Sequence, residues 1–289
     1  MTPLGALVGY VFTFFICFVN LGFHYGIFAR FKFKNVPLMR ILVVSNAFAT
    51  LSIVFSTILW IFQIIGVLED VAVTTKLLVW GHLPYFLFVS AYNASATSLL
   101  IARIVHLIRA CRPPDKLIIL LLLGVIGFSG LFVVFYGLAF SFFCPSCIQT
   151  AIPPDCFVNQ CILSSIFIYQ LVYTVSRAVA SVADFLFSII FLIVLRCKVE
   201  RIQAKSRTTK TLNKANQFLK SIALLHSSVL ILTFAVEATA STMKEKSFYF
   251  LVIFVNKIVR SVDLLIGSAL FYWFNVRISK TTVSSTTHM

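Results

Sequence analysis

Residues 117–143 read LIILLLLGVIGFSGLFVVFYGLAFSFF, twenty-seven positions without a charge, an amide or a proline. A helix rises 1.5 Å per residue, and roughly 20 apolar residues cross about 30 Å of hydrocarbon. Inside lipid the backbone must bond to itself, so a helix is the spanning structure for such a run. The same logic applies to six further apolar stretches, 4–29, 41–68, 77–108, 163–195, 221–243 and 247–274. The expectation is an all-α membrane protein, one domain over 1–280 built as a seven-transmembrane-helix bundle. Residues 281–289 are expected to form a disordered cytoplasmic tail. Of the 289 residues 60% are hydrophobic and 11% charged, against about a quarter charged in a soluble domain.

Orientation follows from Lys and Arg. The connections after stretches 1, 3 and 5, together with the tail, hold seventeen of them; the opposite connections hold only Lys76, Lys244 and Lys246. Basic residues gather in cytoplasmic loops, which predicts an external N-terminus and a cytoplasmic C-terminus. The net charge of +15 then reads as topology signal plus attraction to anionic inner-leaflet lipid. Nucleic acid is not expected as a partner, because the basic residues are spread over membrane-edge loops without base-stacking aromatics. Met1–Pro3 is too short for the basic region of a cleaved signal, so stretch 1 is expected to stay as an anchor.

Cys144, Cys147, Cys156 and Cys161 all fall in the connection between stretches 4 and 5. That connection is predicted to be external, where oxidising conditions favour disulfides. Two bridges would fold it into a compact lid, and three pairings are open. Zinc is disfavoured there because the loop has no His. The connection 196–220 carries Arg201, Lys205 and six other basic residues without Pro or Gly. It can extend its flanking helices beyond the bilayer and offer a surface to a cytosolic partner, or simply fix topology.

Ionisable side chains within a span are costly and turn toward the bundle interior. They are Arg103, Arg177, Asp184, Glu237, Lys257, Arg260 and Asp263. Apart from Arg103, near the basic edge, three cations meet three anions. Pairing is expected, such as Arg260 or Lys257 with Glu237. The sharper expectation is a pocket in which Arg177, Glu237, Lys257 and Arg260 orient a small polar or anionic ligand.

Gly127–Phe128–Ser129–Gly130, with His226, is similar to the Ser–His pair of rhomboid intramembrane proteases. The pair needs hydrogen-bond reach, but the two residues sit about 10 Å apart in depth by helix rise. Gly124, Gly127 and Gly130 read instead as a small-residue strip for close helix packing. No nucleotide-, phosphate- or metal-binding motif is evident, so no cofactor and no enzyme activity are expected. Nor is there the internal repeat that marks many transporters.

Several motifs resemble those of G-protein-coupled receptors. Asn20 sits where that family keeps an Asn in its first span. Ser45–Asn46–Ala47–Phe48–Ala49–Thr50–Leu51 is similar to the second-span signature, with Thr50 in place of the acid. Val105–His106–Leu107 resembles the end of span 3 with His106 for the usual Arg, and Arg103 one turn earlier can substitute. Ser268–Ala269–Leu270–Phe271–Tyr272 resembles the seventh-span motif, with Tyr272 kept and Asn and Pro lost. The layout is rhodopsin-like, but no cysteine opens span 3 and spans 5–7 lack proline. Such departures are similar to the nematode serpentine chemoreceptors, and Asp155–Cys156–Phe157–Val158–Asn159–Gln160–Cys161 resembles their class BC.

That resemblance implies a plasma-membrane receptor, in a sensory-neuron cilium, that binds a small chemical ligand and signals to a heterotrimeric G protein. Arg103, His106, Tyr272, Arg201 and Lys205 would form its coupling end. Val262 stands ten residues before Tyr272, where an opsin keeps its Schiff-base lysine. The rival is a seven-span ligand-gated channel like insect gustatory and odorant receptors, whose N-terminus faces the cytosol.

Overall fold

The computed structural model describes residues 2–31, 37–68, 71–109, 113–143, 157, 167–203, 209–242 and 246–277. Cys144, Cys147, Cys156, Cys161, Lys205 and the tail 281–289 lie outside the described residues. Seven α-helices run through the rest: α1 (Pro3–Arg30), α2 (Pro37–Ile64), α3 (Val71–Arg109), α4 (Asp115–Phe143), α5 (Phe167–Gln203), α6 (Thr209–Thr242) and α7 (Lys246–Phe271). A π-helical turn, Tyr272–Arg277, continues α7.

Local chemistry sets the ends. The Thr2 hydroxyl accepts from the Gly5 N–H at 3.2 Å and Pro3 occupies the first turn of α1, where a missing N–H costs nothing. Helix α2 stops at Gly66, whose φ of +77° is open to glycine at little steric cost. The Val67 N–H reaches the Phe62 carbonyl at 3.0 Å and the Gly66 N–H reaches Gln63 at 3.3 Å, the paired bonds of a Schellman end. Helices α5 and α6 outrun their apolar stretches, to Gln203 and from Thr209, through Lys, Arg and Gln, which suit helices.

This is an all-α membrane protein. Six helices, α1 to α6, contain a segment long and apolar enough to cross a bilayer. Seven were expected, and α7 differs because every 18-residue window of it holds Lys257, Arg260 and Asp263 together. Its apolar content is diluted by the residues that carry the chemistry described below.

Helices α1, α2, α3 and α4 pack in sequence, α5 packs on α3, and α6, α7 and α1 close the ring. Helix α4 lies at the rim: 12% of its membrane-length window is buried, against 61% for α2. Leu120, Leu123, Ile126 and Leu131 of α4 and Phe12, Phe15 and Phe18 of α1 are exposed, which suits lipid tails as apolar as they are. The glycine strip of α4 does not pack as expected. A Cβ at Gly124, Gly127 or Gly130 would meet no atom within 4 Å, because α4 turns Val125, Ser129 and Tyr136 inward instead. Close approach occurs at Gly267, where a Cβ would stand 2.5 Å from the Tyr92 hydroxyl.

The core has two apolar clusters. One gathers Ile27, Leu42, Leu107, Leu195, Phe218 and Val276 near the basic loops. The other gathers Tyr10, Trp60, Leu78, Tyr136, Ile253 and Phe254 at the opposite end. Polar groups join the helices through the interior. Asn20 Nδ2 donates to Thr50 Oγ1 at 2.7 Å and Asn46 Oδ1 at 3.2 Å. The Ser268 hydroxyl donates to Asn20 Oδ1, and Asn46 Nδ2 to the Leu264 carbonyl at 3.0 Å. The residues that carry the resemblance in α1, α2 and α7 are thus one network. Such bonds contribute about 0.6 kcal/mol each in a membrane interior.

Candidate functional site

A cavity opens between the helices at the end away from the basic loops, with about 90 Å³ open to the centre of a water molecule. One ordered water needs roughly 10–15 Å³ of such space, so the cavity has room for a small molecule. Arg177 from α5, Glu237 from α6, and Lys257 and Arg260 from α7 all line it. The four positions singled out in the sequence therefore share one chamber. Aromatic rings of Tyr10, Trp60, Tyr85, Phe86, Phe128 and Tyr173 form much of the remaining wall.

The pairing differs from the expected one. Glu237 binds Arg177, through Oε2 and Nη1, rather than Lys257 or Arg260. Asn256 Nδ2 donates to the same carboxylate oxygen at 3.2 Å, and the Tyr173 hydroxyl accepts from Arg177 Nη1 at 3.0 Å. Arg260 Nη1 instead meets Asp263 Oδ2 at 3.0 Å, three residues on along its own helix. The i, i+3 spacing makes those two side chains neighbours on one face. His226 Nδ1 shares that oxygen at 2.9 Å. Lys257 Nζ has Ser56 Oγ at 3.3 Å and the face of Tyr10, 4.8 Å to its centroid. No carboxylate among the described residues comes within 4 Å of it.

Asp184 of α5 is 1% exposed and meets hydroxyls, not cations. Thr97 Oγ1 donates to Oδ1 at 2.9 Å and Ser227 to Oδ2, and Ser188 stands 2.5 Å from Ser227. Two sets of polar contacts therefore meet on neighbouring residues of α6: Arg260–Asp263 with His226, and Asp184, Thr97 and Ser188 with Ser227. His226 does not bond Ser129, whose buried hydroxyl has no hydrogen-bond partner among the described residues.

At the basic end, Arg103 of α3 donates to Asn216 Oδ1 of α6. His106 lies in the last turn of α3. The Tyr272 hydroxyl accepts from Arg30 Nη1 at 2.7 Å, tying the π-helical turn to α1. Arg201 falls in the last turn of α5, its side chain outside the described residues.

No protein-family model matches this chain, and no curated protein matches it.

Contributors not singled out in the sequence include Asn216, Asn256, Ser56, Tyr173 and Thr97, and His82 on the chamber wall. Asn256 carried a signal, since it sits four residues before Arg260, on the same helical face. His82 lies two residues before Pro84, the proline inside α3. Asn216 and Ser56 had no local signal, because their role depends on which helix faces which.

Proposed function

We propose that this chain is a seven-helix chemosensory receptor of the plasma membrane. It takes a small molecule into the cavity and signals to a heterotrimeric G protein through the basic end. The observation that carries this reading is the gathering of Arg177, Glu237, Lys257 and Arg260, from three helices, around one aromatic-walled chamber. Buried ionisable groups in a span are expensive and mark ligand paths or relays.

Helix α7 is the seventh span on this reading. Its charges turn inward, with Lys257, Arg260 and Asp263 all buried, so lipid meets its apolar face. Seven crossings and the Lys/Arg bias put the N-terminus outside and Arg103, His106, Tyr272, Arg201 and Lys205 at the cytoplasmic face. Ligand that favours one arrangement of α5, α6 and α7 shifts the population toward it. The contacts of Arg260 and Asp263 with His226, and of Asp184 and Thr97 with Ser227, join the chamber wall and α3, which carries Arg103, to adjacent positions of α6. On this reading the chain belongs with the nematode serpentine chemoreceptors, class BC, in sensory cilia.

The test is a ligand-panel screen with a second-messenger readout, in cells with and without heterotrimeric G proteins, beside epitope tags on both termini of intact cells. A response that requires the G protein, with the N-terminal tag accessible, supports the reading. Current through the protein without G proteins, with that tag inside, assigns it to the ligand-gated channels instead.

A further inference from the structure

Charge balance in the chamber wall points to the class of occupant. Arg177 has Glu237 and Arg260 has Asp263. The other interior carboxylate, Asp184, is taken by hydroxyls. Lys257, 9% exposed, is left with a serine oxygen and a tyrosine face. An ammonium has three donors and no acceptor, and burying it without a counter-charge is costly. Among the described residues the wall is therefore one negative charge short.

The hydrogen-bond order around Lys257 adds a second donor. Lys257 can only donate, so Ser56 Oγ accepts from it, and the Ser56 proton is free to go to His82 Nδ1, 3.3 Å away. A neutral imidazole that accepts at Nδ1 carries its proton on Nε2. His82 Nε2 is buried and has no hydrogen-bond partner among the described residues, and His82 lines the same chamber as Lys257. An ammonium and an imidazole N–H are a donor set for the two oxygens of a carboxylate.

We propose that the chamber takes a small monocarboxylate with a flat apolar body, its carboxylate on Lys257 Nζ and His82 Nε2 and its body among the aromatic rings. The proposal rests on reading the chamber as a ligand site and specifies what that site selects. One missing charge argues against a dianion. A bare halide would leave most of the chamber's volume empty.

The experiment uses the full chain in lipid nanodiscs and fluorine NMR titration of 4-fluorobenzoate, 4-fluorophenylacetate and 6-fluorohexanoate. Each acid is paired with its neutral amide. At least one acid binds saturably and about tenfold or more tighter than its amide, the scale of a charge-assisted hydrogen bond. Lys257→Gln erases that preference, whereas Lys257→Arg, which keeps the charge, retains it and shows that the position tolerates change. The proposal is overturned if amides bind as tightly as acids, if K257Q keeps the preference, or if no acid binds the folded wild-type chain. Chloride displacing every acid at millimolar concentration assigns the site to an inorganic ion and also overturns it. Acid binding with no second-messenger response would sink the receptor reading alone; a G-protein-dependent response to neutral ligands only would sink the carboxylate assignment alone.

Discussion

Arg103 on α3 donates twice to a single oxygen of Asn216 on α6, from Nε at 2.9 Å and from Nη2 at 2.6 Å. The amide nitrogen of Asn216 has no hydrogen-bond partner among the described residues, where its side chain bonds Arg103. On the proposed receptor reading these are two helices that activation separates, and this contact joins them.

Removing that acceptor is predicted to raise ligand-independent signalling. A hydrogen bond to a charged group contributes about 1.5–3 kcal/mol net, and about 1.4 kcal/mol is tenfold in a population ratio. Asn216→Ala should therefore shift the resting equilibrium about tenfold toward the separated arrangement. Asn216→Asp should move it the other way, because the contact becomes an ion pair. Basal second-messenger level, normalised to surface expression, is the readout. Equal basal levels in both variants would show that the contact is not part of the switch.

The Arg177–Glu237 pair joins α5 to α6 on the chamber wall. Removing one partner of a buried pair leaves an uncompensated charge and costs about 3–5 kcal/mol at full burial. Both side chains retain some exposure here, 19% and 10%, so the lower end applies. Glu237→Gln should lower the apparent melting temperature of the nanodisc-reconstituted chain, and adding Arg177→Gln should recover part of that loss. Strictly additive effects would mean that the two charges are not coupled.

Asp263 and Asp184 are both buried aspartates, yet their neutralisation should differ. Asp263→Asn strips the counter-charge from Arg260 and leaves His226 with a weaker acceptor, a loss on the scale of about 3 kcal/mol or more. Asp184→Asn keeps one carbonyl oxygen for Thr97 and presents an N–H to Ser227, whose hydroxyl can accept it and donate to Ser188 instead, and should cost nearer about 1 kcal/mol. Thermal denaturation of the two variants side by side measures the difference. If Asp184→Asn proves the more damaging, the hydroxyls are not what satisfies that carboxylate.

Much of the fold was legible because apolarity over a bilayer's length is a one-dimensional signal. Residues 117–143 announce a helix whatever surrounds them. The ionisable residues of the interior were legible as a set for the same reason, since each interrupts an otherwise apolar run. Their partners were not. Whether Glu237 meets Arg177 or Arg260 depends on helix rotation and depth at a resolution that span edges do not give. Arg260–Asp263 carried a local signal, because three residues along one helix fix the geometry, yet the expected partner of Arg260 was Glu237. The glycines of α4 show the limit from the other side: spacing 124, 127, 130 permits close packing but does not say that a neighbour stands there.

The last contrast tests that point directly. Gly267→Ala adds a Cβ 2.5 Å from the Tyr92 hydroxyl and 3.5 Å from Asn46 Nδ2. Overpacking of this kind costs about 1–3 kcal/mol. Tyr92→Phe removes the clashing oxygen, so the double variant G267A/Y92F should be more stable than G267A alone despite carrying one more change. Gly127→Ala meets nothing within 4 Å and gains helix propensity of up to about 1 kcal/mol, so it should be neutral or stabilising. Melting temperatures of the three variants decide it. If Gly127→Ala destabilises as much as Gly267→Ala, the α4 strip has a packing partner in the bilayer, whereas failure of Tyr92→Phe to rescue Gly267→Ala would place the strain elsewhere on the α3–α7 contact.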